Sequence, residues 1–291
     1  MTDREEIIEF EVGAKFIKNG IAKFIYLQEN FPEEKLSPHE VMKLYSCVYN
    51  MCIQNYPHSY DSELYNLYKE IIEEYVKGTV LSSLREKHDE FFLLELIKRW
   101  KNHKILVRLM SSQIFQYLNR YHIGRLPWEP SLDKFGFTCF YDAVSQDINM
   151  KARDIVISLI EKEREGAQID KVLLKNVTDY FVEIGAGWDH YFLEAGPGFY
   201  YQKQYEEVIL NSTVSYYLGK AMSWISEEDY IEKAKECLKR EEENVSHYLA
   251  FVSKDKLLAT VQQQLLSVYE KHQLDKDKVE ELSRNLSSLL V

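Results

Sequence analysis

Apolar side chains recur along this chain at three- and four-residue spacing, window after window, and almost nowhere in strict alternation. That period places them on single faces of consecutive amphipathic helices rather than on strands. One segment carries two such faces. At ~100° per residue, Leu44, Val48 and Met51 cluster on one side of a helix, while Met42, Tyr45 and Tyr49 cluster roughly 115° away. A helix in a bundle needs one apolar stripe to enter a core. The second stripe must meet another helix or another protein.

Local signals set the boundaries. A first helix is expected over about 12–29, stopping before Phe31-Pro32. Ser37, Pro38 and Glu40 form a capping signature for the next, running to about Gln54. Asp61 or Ser62 caps a third that continues past a kink at Gly78 to Lys87; a fourth from His88 loosens near Asn102-His103, and a fifth runs over about 104–123. Gly124, Pro127, Pro130 and Gly136 mark the longest break of the first half. Beyond it, a helix from Phe137 and another to Glu165 are expected, with Gly166 in the left-handed position that ends the second. Asp170 caps a helix ending at Gly185, and 185–198 reads as an irregular insertion. Segments over 200–210 and 212–225 come next, then a helix opened by Ser226 and Asp229 and reaching Phe251, then 254–272 and 276–290.

With 291 residues, 45% hydrophobic and 29% charged, the chain can bury a sizeable core. Eleven Gly and six Pro leave few breakers, which favours long helices. The layout predicts two tandem helical units. A net charge of −11 argues against nucleic acid as a partner. The basic run Lys98, Arg99, Lys101, Lys104, Arg108 reads as a solvated helix face. No apolar run reaches membrane-spanning length, so no membrane is expected. Cys47, Cys52, Cys139 and Cys237 match no zinc framework and read as buried thiols of a reduced compartment.

Catalytic patterns are missing. No histidine has Glu or Asp three residues before it, so no di-metal bundle site is indicated. Gly185-x-Gly187 lacks the third glycine of a dinucleotide loop, and no P-loop or GxSxG elbow occurs. The expectation is a protein that is not an enzyme and carries no metal or cofactor. The end of the fifth segment instead suggests a surface. Ile114, Tyr117, Leu118 and Tyr121 form its core stripe, with Phe115, Asn119 and His122 to one side. Beside Met42, Tyr45 and Tyr49 these would make a groove lined with Tyr, Met, Phe and His, suited to a protein interface.

Longer stretches then give a family resemblance. LYSCVYNMC (44–52), LREKHDEFFLLELIKRWKNHKILVR (84–108), YLNRYHIGR (117–125), GFTCFYDAV (136–144), IEKEREGAQIDKVLLKNV (160–177) and SYYLGKAMSWI (215–225) resemble the N-terminal arm of a cullin, of the plant cullin-1 type, over roughly 10–285. The resemblance implies an all-α protein of elongated, tandem five-helix cullin repeats: a first repeat over 1–125, a second over 126–253 and the start of a third over 254–291. It implies a non-catalytic scaffold arm of a ubiquitin ligase, cytoplasmic or nuclear. Its first repeat would bind a SKP-type adaptor carrying an F-box protein, through Met42, Tyr45 and Tyr49 of the second helix and Asn119 and His122 of the fifth. Phe115 joins that set by its place beside them.

Family members continue into a C-terminal domain that holds a RING-box protein. The chain resembles the arm alone, so no RING-box partner is expected, and it reads as a truncated cullin-like protein able to compete with full-length cullins. A degenerate paralogue without a ligase role and a fragment of a full-length scaffold are the alternatives. Val41 stands where the cullin-1 type carries a bulkier aromatic, and His122 where it carries a large aromatic. The 185–198 segment is longer than the family pattern, and the loop after Ile123 is rearranged.

Overall fold

A computed structural model describes residues 7–55, 58–122, 129–144, 147–186 and 198–288. Among the described residues there are helices and turns but no strand. The chain divides into two compact units, Met1–Asn149 and Met150–Val291.

In the first unit, α1 (Phe10–Asn30) and α2 (Pro38–Ile53) are antiparallel neighbours. Two glycines on one face of α1 set their separation. A Cβ on Gly13 would lie 2.2 Å from Met51 Sδ, and one on Gly20 would lie 2.5 Å from Leu44 Cδ2. The core stripe of α2 therefore seats directly on α1 backbone. The expected capping box is present: the Ser37 hydroxyl accepts from the Glu40 amide, and the Glu40 carboxylate accepts from the Ser37 amide at 2.8 Å. Lys23 adds a 2.6 Å ion pair to Glu40, which ties the start of α2 to α1. Together the Lys23 ammonium and the Ser37 donors hold the Glu40 carboxyl down at about 2.

The third helix, α3 (Asp61–Tyr75), runs into a π-helical stretch, Val76–Leu81, at the position read as a kink at Gly78. Next, α4 spans Asp89–Leu109 without interruption, which corrects the expected break near Asn102-His103. The polar residues that suggest a break have tertiary partners instead. The Asn102 carbonyl accepts from Gln28 Nε2 at 3.0 Å and its side chain donates to Glu29 at 2.9 Å. His103 is fully buried, with Nε2 2.8 Å from the Gly136 carbonyl. Two π-helical stretches, Met110–Ile114 and Leu118–His122, then continue the same rod. In α5 (Leu132–Val144), Gly136 and Phe140 pack against α3 and α4. The expectations at Pro57, at Gly124 and Pro127, and over 187–197 lie outside the described residues.

The second unit holds α6 (Asp147–Arg164) from Met150 onward, α7 (Lys171–Ala186), α8 (Glu207–Trp224), α9 (Tyr230–Tyr248) and α10 (Lys254–Ser288). Gly166 takes φ +90° after α6, and Asp170 Oδ1 accepts from the Leu173 amide at 2.9 Å, both as read from sequence. Three boundaries differ. Phe199–Tyr201, a π-helical stretch at Gln202–Glu206 and α8 form one continuous run, without a division near 211. The two closing segments are likewise the single helix α10, since neither Gly nor Pro separates them. Ser226 does not cap α9; the N-cap is Asp229, with no side-chain capping bond, because its carboxylate pairs with Lys233 at 3.3 Å.

The second core is built round a buried ion pair. Arg164 Nε donates to Glu241 Oε1 at 2.7 Å, and Tyr217 and Tyr248 donate their hydroxyls to the same carboxylate. The Arg164 guanidinium also donates to Thr213 Oγ1 at 2.9 Å. This one cluster links α6, α8 and α9.

Candidate protein-docking face

The two stripes of α2 separate as their spacing requires. Leu44, Val48 and Met51 are buried, whereas Met42 is 60% exposed and Tyr45 and Tyr49 are half-buried. The second stripe is therefore not sealed beneath the chain's own side chains. It extends as a ladder of rings. Tyr45 stacks on Tyr49 at 6.0 Å between centroids, Tyr49 meets Tyr117 edge-on at 4.9 Å, and Tyr117 contacts Tyr121 at 4.8 Å.

A regular α period would put Tyr117 and Tyr121 in the core; in the structure Tyr117 is half-buried and Tyr121 is 54% exposed. The cause is helical register. Phe115 N donates to the Met110 carbonyl at 2.8 Å, five residues back, so this turn holds one residue more than an α-turn. An inserted residue rotates every later position by about 100° relative to a straight extrapolation. The rotation brings the Tyr117 side round towards α2.

The same rotation turns Phe115 inward. Phe115 is fully buried, edge-on to Tyr68 at 5.6 Å, so it has no surface to offer a partner. Phe115 supports the face from below. Asn119 is half-buried, and its Oδ1 accepts from the Leu132 amide at 3.1 Å, which ties the second π-helical stretch to the start of α5. His122 ends that stretch; its side chain lies outside the described residues.

The face is an aromatic and thioether surface edged with hydroxyls. Tyr offers large contact area with few rotatable bonds and a polar hydroxyl, and Met a flexible thioether that fits itself to a partner, the composition of protein interfaces. Cys47, on the flank of α2, lies 3.9 Å from Met51 Sδ, and burial raises its thiol pKa. Burial pushes the Cys139 thiol up to about 11. Neither is poised as a nucleophile. Among the described residues, no group of three or more His, Cys, Asp or Glu side chains is placed to hold a metal ion. No described helix is long and apolar enough to cross a membrane.

Antiparallel helices packed round a core in each unit define an all-α protein. Residues 15–290 match the family model of the cullin alpha solenoid domain, and the chain belongs to the cullin family. It is 46% identical to Cullin-1 of Oryza sativa subsp. japonica over 298 aligned positions, covering 97% of this chain and 38% of that protein. Putative cullin-like protein 2 of Arabidopsis thaliana is 43% identical, with 94% of this chain and 71% of the relative covered. Cullin-like protein 3 of the same plant is 41% identical, with 86% and 93% covered. The chain thus spans less than half the length of the rice cullin-1 it matches.

Proposed function

We propose that this chain is a scaffold arm of a ubiquitin ligase and that its first unit binds a SKP-type adaptor carrying an F-box protein. The observation that carries the reading is the open ladder Met42, Tyr45, Tyr49, Tyr117 and Tyr121, held by two packed elements of one unit. A preorganised aromatic patch loses little side-chain freedom on binding, which lowers the ordering cost of association. The family resemblance assigns Asn119 and His122 to the same adaptor contact.

Titration calorimetry of the chain with a SKP-type adaptor–F-box complex tests this. Met42→Ala combined with Tyr45→Ala should weaken binding by ~2 kcal/mol or more. Unchanged affinity would place the contact elsewhere, and no binding at all by the parent chain would end the adaptor reading.

The same face supports a competitive role. Cullin-like protein 3 is covered over 93% of its length by this arm, so an arm-sized chain is a curated protein in its own right. The 291-residue chain, added to an assembled ligase, would sequester adaptor by mass action and lower ubiquitin transfer. Undiminished transfer at adaptor-saturating amounts would refute that role.

A further inference from the structure

The basic run of α4 is not simply a solvated face. Arg99 leaves it: the guanidinium is buried and paired with Glu29 at 2.6 Å and with Glu95. Lys98, Lys101 and Arg108 remain on the outside, and they share one face with three apolar residues open to solvent: Phe91 is 72% exposed, Leu94 49% and Ile105 50%. The six positions fall within roughly 100° of the helix circumference and run about 25 Å along its axis. No carboxylate interrupts them between Phe91 and Arg108 on that face. Lys98, itself 46% exposed, lies 3.4 Å from Glu29, a largely buried carboxylate that Arg99 already holds at 2.6 Å.

We propose that this stripe docks an acidic amphipathic helix of a partner protein, at a surface separate from the tyrosine ladder. Charge complementarity selects the occupant. Lys101 and Arg108, with Lys98 partly balanced by Glu29, make a local positive stripe on a chain of net charge −11 and attract an anionic partner there. The interleaved apolar residues select a protein. Against nucleic-acid phosphates, Phe91, Leu94 and Ile105 would find nothing to bury against, and three cations release few counterions. Against a lipid surface, three cations contribute about 1 kcal/mol each, opposed by the net charge of the chain. A helix with apolar residues at i, i+3 and i+14 and carboxylates at i+7, i+10 and i+17 satisfies all six positions at once.

The probe is a fluorescein-labelled synthetic peptide of about 20 residues with Leu and Glu at those spacings, read by anisotropy against the whole chain. Saturable binding that weakens with added salt is expected. A scrambled peptide of equal composition should bind about tenfold more weakly or worse. Lys101→Glu with Arg108→Glu, and separately Phe91→Ser with Leu94→Ser, should each lower affinity about tenfold. These positions are exposed, so circular dichroism should show the fold kept and calorimetry should show adaptor binding unchanged. A peptide with Lys in place of Glu should recover affinity for the charge-reversed chain. The proposal is overturned if the scrambled peptide binds as well or if reversal brings no recovery. It is equally overturned if phosphatidylserine vesicles, a single-stranded oligonucleotide or a second copy of the chain occupies the stripe more tightly than the peptide and is lost with the same substitutions.

Discussion

Tyr49 of α2 and Tyr117 of the segment after α4 meet edge to face, with ring centroids 4.9 Å apart and planes at 84°. The positive edge of one ring lies against the negative face of the other, a geometry worth ~0.5–1.5 kcal/mol beyond the area it buries. A double-mutant cycle on Tyr49→Ala and Tyr117→Ala, followed by urea unfolding, should return a coupling of that size. Additive effects would mean that the two rings are merely adjacent and that the face is not preorganised.

The α2 half of this pair was legible in the sequence and the other half was not. Two stripes on α2, its capping box and its proline are local consequences of a regular 3.6-residue period, and the structure reproduces each. The position of Tyr117 depends on a π-turn, and no local sequence signal marks one; extrapolating the α period through Met110–Ile114 exchanges the places of Tyr117 and Phe115. The continuity of α4 was equally hidden. Asn102 and His103 read as breakers unless Gln28, Glu29 and Gly136 are known to satisfy them, and the last of these lies 33 residues away from His103.

His103 should make stability depend on pH. Its Nε2 donates to the Gly136 carbonyl, its Nδ1 has no hydrogen-bond partner, and Trp100, Phe137, Phe140 and Tyr75 surround the ring. Burial holds its pKa down at about 4, against 6.5 when unfolded. Between those values the unfolded chain binds the extra proton, so stability falls as pH drops from about 6.5 to about 4. The loss is on the order of 3 kcal/mol at most. Acid titration of the unfolding midpoint, wild type minus His103→Gln, should isolate this slope; identical profiles would show that the ring opens to solvent first.

The Arg164–Glu241 pair should behave asymmetrically. Both side chains are nearly inaccessible, at 5% and 3% exposure, and the carboxylate also accepts from Tyr217 and Tyr248. Glu241→Ala strands a guanidinium and two hydroxyls, for a loss of ~3–5 kcal/mol. Removing both charges, with Arg164→Met and Glu241→Leu, leaves only the hydroxyls unmatched and should cost less than the single change. Chemical denaturation of the three proteins decides it; a double variant less stable than Glu241→Ala would make the pair a net source of stability.

Two glycines should respond in opposite directions to the same methyl group. A Cβ on Gly136 would lie 2.7 Å from Val107 Cγ2 and 2.9 Å from the Tyr68 hydroxyl. The hydroxyl cannot retreat freely, because it donates to the Leu132 carbonyl at 2.7 Å. The Gly136 carbonyl is also the acceptor for His103, so any shift of α5 strains a second bond. Gly136→Ala should therefore cost ~1–3 kcal/mol and weaken the His103 contribution to the pH profile. Gly219, exposed in α8, meets nothing within 4 Å. There alanine restricts the unfolded chain without a clash and should add ~0.5–1 kcal/mol. Thermal unfolding of the two variants should move in opposite senses, and equal tolerance at both sites would mean that α5 does not approach α4 as closely as the Gly136 contacts require.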